Sequence, residues 1–165
     1  MTRTGRFGGE SGAGLLELVV AMPLVVLLSA ALAAAFAFGL RAYLFLLSDW
    51  ALQEQVSYAM ERMTTDLRYA EDAKIENGRL RILCRAVSGS PQWVAYERTQ
   101  EARPRIRRDS QPLTGESTLG EIVMRSFEAE RIDAKTVFLR LVGENLLTGQ
   151  TYELETAVTW AETGA

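Results

Sequence analysis

A lone carboxylate, Glu17, stands at the head of the longest uncharged stretch in the chain. From Leu18 to Leu40 there are 23 residues without a charge, about 35 Å as a helix at ~1.5 Å per residue, which is enough to span a bilayer. A charged group in such a span costs roughly 2.5–3.5 kcal/mol at mid-membrane and less near an edge, so an acid kept there invites a functional reading. The plainer reading is a helix-start acid favoured by the macrodipole by ~0.3–1 kcal/mol. Other candidates for chemistry thin out quickly. There is no histidine, which removes Ser-His-Asp and Cys-His arrangements and any imidazole metal site. Gly115-Glu116-Ser117-Thr118-Leu119-Gly120 puts a serine between glycines but lacks a base and the strand–turn–helix setting of a nucleophile elbow. No glycine-rich loop ends in Lys-Ser or Lys-Thr. The acid pairs Glu71-Asp72, Glu128/Glu130 and Glu153/Glu155 read as solvated faces, with an oxygen-ligand metal site as the weaker alternative. Cys84, the single cysteine, cannot form an intrachain disulfide and lies in an alternating apolar run, so it reads as a buried thiol. No catalytic residue, metal or cofactor is expected.

The 165 residues, 48% of them hydrophobic, suffice for one membrane helix and one domain of roughly a hundred residues. The mean hydropathy of zero averages an apolar first quarter with a polar remainder. Beyond Arg41 the helical pattern continues, because no proline or glycine occurs between Leu40 and Gly78. Leu52, Val56, Ala59 or Met60, Met63, Leu67 and Ala70 recur at three- and four-residue spacing and draw an apolar stripe. Glu54, Glu61, Arg62, Asp66, Arg68, Glu71 and Asp72 occupy the other face, with Arg62–Asp66 and Arg68–Asp72 placed for i,i+4 pairs worth ~0.2–0.5 kcal/mol each. One helix from about residue 14 to 74, about 90 Å long, follows. Leu52, Val56, Met63 and Leu67 are the residues expected to pack it on a sheet.

Asn77-Gly78, a pair that accepts positive φ, is expected to end the helix in a tight turn. Leu80, Ile82, Cys84 and Ala86 then alternate with Arg79, Arg81, Leu83 and Arg85 as a half-buried strand. Ser88-Gly89-Ser90-Pro91 reads as a turn before a strand Trp93 to Arg98, and Ser110 to Gly120 reads as a loop. Three further strands are expected: Glu121 to Phe127, Thr136 to Val142 and Thr151 to Trp160. Val137, Leu139 and Leu141, with Tyr152, Leu154, Val158 and Trp160, should face the core, and Gly143 to Gln150 should close a hairpin. The fold class is α+β: a long N-terminal helix, transmembrane in its first half and amphipathic in its second, packed on an antiparallel sheet.

Charge limits the partners. The chain carries 18 basic and 21 acidic residues, and without residues 1–12 these become 16 and 20. There is no basic excess for a nucleic-acid surface, so nucleic acid is not expected as a direct ligand. Arg103-Pro104-Arg105-Ile106-Arg107-Arg108 is the one basic cluster, flanked by Glu101 and Asp109. It reads as a solvated strand or loop, with a patch for anionic lipid or DNA anchored by Ile106 as the lesser alternative. At the N-terminus an ordinary secretory signal is the rival to a retained helix, since Ala31-Leu32-Ala33 and Ala33-Ala34-Ala35 resemble A-x-A cleavage sites. Against it, the apolar run exceeds the usual ~7–15 residues of a signal core and passes directly into Phe36, Phe38, Leu40, Tyr43, Leu44 and Phe45.

Gly12 followed by Ala13-Gly14-Leu15-Leu16, then Glu17 and the apolar run, behind a short leader with Arg3 and Arg6, resembles the type IV prepilin processing signal. The resemblance implies cleavage between Gly12 and Ala13 by a prepilin peptidase, N-methylation of Ala13, and pairing of Glu17 with a neighbouring subunit's amino terminus in a filament. Glu61-Arg62-Met63-Thr64-Thr65-Asp66-Leu67-Arg68 is similar to the helix ending of the larger minor components, the J-type pseudopilins, W-type minor pilins and GF-type competence pilins. Tyr96-Glu97-Arg98, Arg105 to Asp109 and Pro112-Leu113 resemble the sheet region of the same group. The implied organisation is a leader 1–12, a membrane and filament-core helix 13–40, an amphipathic continuation 41–76 and an extracytoplasmic β domain 77–165. The implied partners are other pilin subunits, the peptidase, an inner-membrane assembly platform and the lipid bilayer, in a pilus, competence fibre or secretion pseudopilus. The alternative is a secreted or membrane-anchored binding module with no filament role.

Overall fold

The computed structural model describes residues 11–85, 90–115 and 122–160. It is an α+β chain: one long helix, α1 (Ser11–Arg68), followed by antiparallel strands. The chain divides into two units, the first ending at Tyr43 and the second beginning at Leu44. In the first unit, every residue from Glu17 to Tyr43 is exposed. Pro23 sits inside the helix there.

The second unit contains the end of α1 and eight strands: β1 (Ala70–Glu76), β2 (Arg79–Arg85), β3 (Pro91–Arg98), β4 (Ile106–Arg108), β5 (Gln111–Pro112), β6 (Ile122–Arg131), β7 (Thr136–Asn145) and β8 (Thr151–Thr159). They form two sheets where one was expected, β1-β2-β3-β4-β5 and β6-β7-β8. The sheets meet through Met124 N, which donates to Pro104 O at 2.8 Å, and Arg98 Nε, which donates to Met124 O at 2.7 Å. Leu52, Val56, Ala59, Met60, Met63 and Leu67 on α1 are buried together with Leu80, Ile82, Val94, Tyr96 and Ile106 from the first sheet and Met124, Val137, Leu139 and Leu141 from the second. The stripe on the helix is therefore the seam between the two sheets and the core. Each large apolar side chain taken wholly out of water there contributes ~1.5–3 kcal/mol.

The structure departs from expectation in three places. The helix stops at Arg68, not near residue 74, and residues 70–76 are the edge strand β1. Asn77 (φ 53°) and Gly78 (φ 75°) do make a tight turn, but it joins β1 to β2, with Glu76 opposite Arg79. A two-residue turn with two positive φ values requires strands on both sides, and this local demand overrides continuation of the helix. A bulge between Ala70 and Asp72 lets Ala70 and Ala73 both face the core, a three-residue spacing that reads as helical. Arg68 and Asp72 consequently do not form the expected i,i+4 pair.

The third correction concerns strand lengths. β6 runs to Arg131 and β7 to Asn145, so Gly143 is a strand residue and not part of the hairpin loop. A Cβ on Gly143 would lie 2.6 Å from Val56 Cγ2 and 2.8 Å from Leu52 Cδ1. Glycine is what allows β7 to approach α1 this closely. The expected strand position Ala86 and the turn residues 88–89 lie outside the described residues, as does the segment 116–121.

Candidate functional site

The Gly12-Ala13 peptide lies in the first turn of α1, and residues 1–10 of the expected leader are outside the described residues. Glu17 is exposed, one turn further on. Beyond it the exposed side chains are almost all apolar: Leu18, Val19, Val20, Met22, Leu24 to Leu28, Leu32, Phe36, Phe38 and Leu40. By length and composition this is the one helix among the described residues able to cross a membrane. An apolar surface of this extent exceeds what a water-soluble monomer usually exposes. The candidate site is this surface together with the acid at its head. Leu52, Val56, Met63 and Leu67 lie further along the same helix, all buried against the sheets.

A second polar constellation sits where the helix ends, and the sequence did not reveal it. Asp66 was expected on a solvated face, paired with Arg62. That pair exists at 3.8 Å, but the Asp66 side chain is only 11% exposed. Its Oδ2 accepts from Tyr96 Oη at 2.6 Å and from Arg108 Nε and Nη2 at 3.1 and 3.0 Å. Arg108 Nε also donates to Tyr96 Oη at 3.1 Å. Burial, followed by the hydrogen bond to Asp66, pushes the Tyr96 phenol well above its usual range. Burial pulls the Arg108 guanidinium down, but its bonds to Tyr96 and Asp66 outweigh that and hold it above its usual range. The cluster therefore keeps the Tyr96 phenol neutral beside the Arg108 cation, and ties the end of α1 to β3 and β4. Such a closed network locks packing and has no spare acid, base or nucleophile.

The basic cluster is correspondingly less solvated than expected. Ile106 is fully buried, so it is a core residue and not an anchor. Arg108 belongs to the Asp66 network, and Arg107 pairs with Glu101 at 2.6 Å. Asp109 (φ 55°) turns the chain between β4 and β5 while its Oδ1 accepts from Ala95 N at 2.9 Å. Cys84 is half-buried, its Sγ 3.7 Å from Asp66 O, and burial, then the Asp66 charge, raises its pKa. That is the behaviour of a structural thiol.

An open cleft of about 870 Å³ lies between the sheets, lined by Arg79, Glu97, Arg98, Arg107, Arg125 and Glu128 among others. Its charges are largely engaged within the protein, Arg79 with Glu97 at 2.5 Å and Arg125 with Glu144. Among the described residues no group of three or more His, Cys, Asp or Glu is placed to hold a metal ion. The acids Glu128, Glu153 and Glu155 instead converge on one guanidinium, that of Arg140, on the outer face of the second sheet. Comparison with protein-family models, with curated proteins and with solved structures finds no match to this chain.

Proposed function

We propose that this chain is a minor pilin or pseudopilin, a non-enzymatic structural subunit stored in the cytoplasmic membrane and assembled into a type IV pilus, competence fibre or secretion pseudopilus, in initiation or at the tip. The observation that carries the reading is one uninterrupted helix with two different environments. Its first half exposes an apolar surface headed by Glu17, and its second half buries a stripe under antiparallel sheets. The helix does not break near Ala33 to Phe36, where a secretory signal would be cut, which supports a retained helix over a discarded one. Gly12, just before the apolar run, is the processing position, and Ala13 becomes the methylated amino terminus. The partners are sister subunits, the prepilin peptidase, an assembly platform and lipid.

Glu17 carries the assembly chemistry. Among packed apolar helices its carboxylate needs a counter-charge, and a neighbour's methylated amino terminus keeps the positive charge that offsets the desolvation. Glu17→Ala is therefore expected to be exported and cut after Gly12 but to enter filaments poorly, read as its share of the sheared filament fraction beside wild type. Normal incorporation would leave Glu17 as a helix-start acid only. Replacing Gly12 by a bulky residue should leave uncut precursor in the membrane. A mature N-terminus near Phe36 in place of an N-methylated Ala13 would replace this reading with that of a secreted binding module.

A further inference from the structure

The open cleft between the sheets is built along a strand edge. Its wall includes four consecutive residues of β6, Arg125 to Glu128, and five consecutive residues from Glu97 to Glu101. Successive side chains of a strand point to opposite faces, so a consecutive run lines a cleft along its edge. β6 is the outermost strand of its sheet and pairs with β7 alone. Across the β6–β7 hairpin Ile132 N donates to Thr136 O at 3.0 Å, which sets the phase of the ladder. Residues of an antiparallel pair alternate between bonding the partner strand and pointing away from it. Counted back from Ile132, the N–H and C=O groups of Arg131, Ala129 and Phe127 therefore point away from β7. Met124, on the far side of the bulge between Met124 and Ser126, shows this outer edge in use. Its N–H donates to Pro104 O at 2.8 Å, and its C=O accepts from Arg98 Nε at 2.7 Å. At Phe127, which lines the cleft, no described residue takes up the outward N–H or C=O.

The same cleft holds a cation without an acid of its own. Arg79, Arg98, Arg107 and Arg125 all line it, in a chain whose net charge is -3. Arg79 pairs with Glu97 at 2.5 Å, Arg107 with Glu101 at 2.6 Å and Arg125 with Glu144. Arg98 differs: among the described residues no carboxylate pairs with it, and its terminal nitrogens have no bond. Its Nε bond to Met124 O anchors the guanidinium beside the open stretch of the β6 edge. A guanidinium fixed in this way offers two parallel donors that match a carboxylate. The space, about 870 Å³, falls within the ~300–1,000 Å³ typical of ligand clefts.

We propose that this cleft takes an extended peptide segment bearing a carboxylate, its main chain paired with the outward N–H and C=O of Phe127 and its carboxylate seated on Arg98. Strand addition of this kind draws its affinity from main-chain bonds and its specificity from side-chain sites beside the edge. Main-chain pairing is indifferent to sequence, so Arg98 is what selects an acid. A side-chain carboxylate and a chain-terminal one present the same chemistry to it. The flanking pairs Arg79–Glu97 and Arg107–Glu101 do not close the site, because Arg79 and Arg107 are 61% and 38% exposed and exposed pairs of this kind contribute little. The site lies wholly within the second unit and stands independently of the function proposed above.

The test uses the full chain solubilised in detergent. The probes are libraries of short fluorescein-labelled peptides, blocked at both ends and random except for a central glutamate, glutamine or lysine. Fluorescence anisotropy should show the glutamate library binding roughly tenfold tighter than the glutamine library, with the lysine library weakest. A glutamine library with a free C-terminus that equals the glutamate library would also support the proposal, with the acid at a chain end. Arg98→Gln should erase the difference between the glutamate and glutamine libraries. Arg98 also ties the two sheets together, so two further arms leave the protein unaltered and decide the matter if that variant unfolds. Methylating alternate main-chain nitrogens of the tightest glutamate peptide should abolish its binding. The unmethylated peptide should protect the Phe127 amide from hydrogen exchange. Equal binding of the three libraries, full binding of the methylated peptide, or no binding to wild type would each overturn the proposal. So would Phe127 protection that grows with protein concentration in the absence of peptide, which would put a second copy of the chain in the cleft.

Discussion

Asp66 illustrates how far one side chain's role depends on residues distant in sequence. On α1 it looks like the partner of Arg62, yet its nearer partners are Tyr96 and Arg108, 30 and 42 residues away. Removing one member of this network leaves a charge and a hydroxyl partly buried without their acceptor. Asp66→Ala should therefore cost about 2–3 kcal/mol, measured by denaturant unfolding of the detergent-solubilised chain. Arg68, exposed beside it, should tolerate alanine within ~0.5 kcal/mol. Comparable losses would mean that the network contributes nothing beyond local helix structure. Tyr96 adds a pH signature. Burial and the Asp66 bond raise its folded-state pKa above the unfolded value of about 10. A group raised in the folded state contributes its full stability below the unfolded pKa and loses it as pH rises beyond. The melting temperature should therefore fall above pH ~10, and fall less steeply in Tyr96→Phe.

At the scale of elements, the core depends on how closely α1 and β7 approach. Gly143→Ala puts a methyl group within 2.6 Å of Val56 Cγ2 and 2.8 Å of Leu52 Cδ1. Both neighbours are fully or almost fully buried and have little room to yield. The expected loss is about 1–3 kcal/mol from overpacking, and pairing it with Leu52→Ala should restore part of it, a coupling that a double-mutant cycle would show. Leu67→Ala, at the other end of the stripe, opens a cavity and should cost ~2–5 kcal/mol. A Gly143→Ala protein as stable as wild type would show that the helix can slide away from the sheet, against the packing described here.

For the whole molecule, the first unit exposes a helix long and apolar enough to cross a membrane, and the second holds the buried core. On the function proposed above, Arg3 and Arg6 before the apolar run would set the N-terminus in the cytoplasm and the second unit outside. Protease added outside the cytoplasmic membrane should digest the segment from Asn77 to Trp160. Protection there, with cleavage only after lysis, would invert the topology and remove the filament reading.

Composition and periodicity alone determined the long helix, its apolar first half, the buried stripe from Leu52 to Leu67 and the inward faces of β7 and β8. Each of these follows from residues a few positions apart, within reach of a repeat of 3.6 or 2. The end of the helix was legible only in part. Asn77-Gly78 announced a turn, but whether the residues before it were helix or strand depended on their pairing with β2, and the bulge at Ala70 imitated a helical spacing. The division into two sheets, the embedding of Asp66 and Arg108, and the bonds of Asn145 and Thr148 to Ser48 and Asp49 were decided by tertiary structure. These contacts join positions 30 to 99 residues apart, and no local pattern encodes which distant partner a polar side chain will meet.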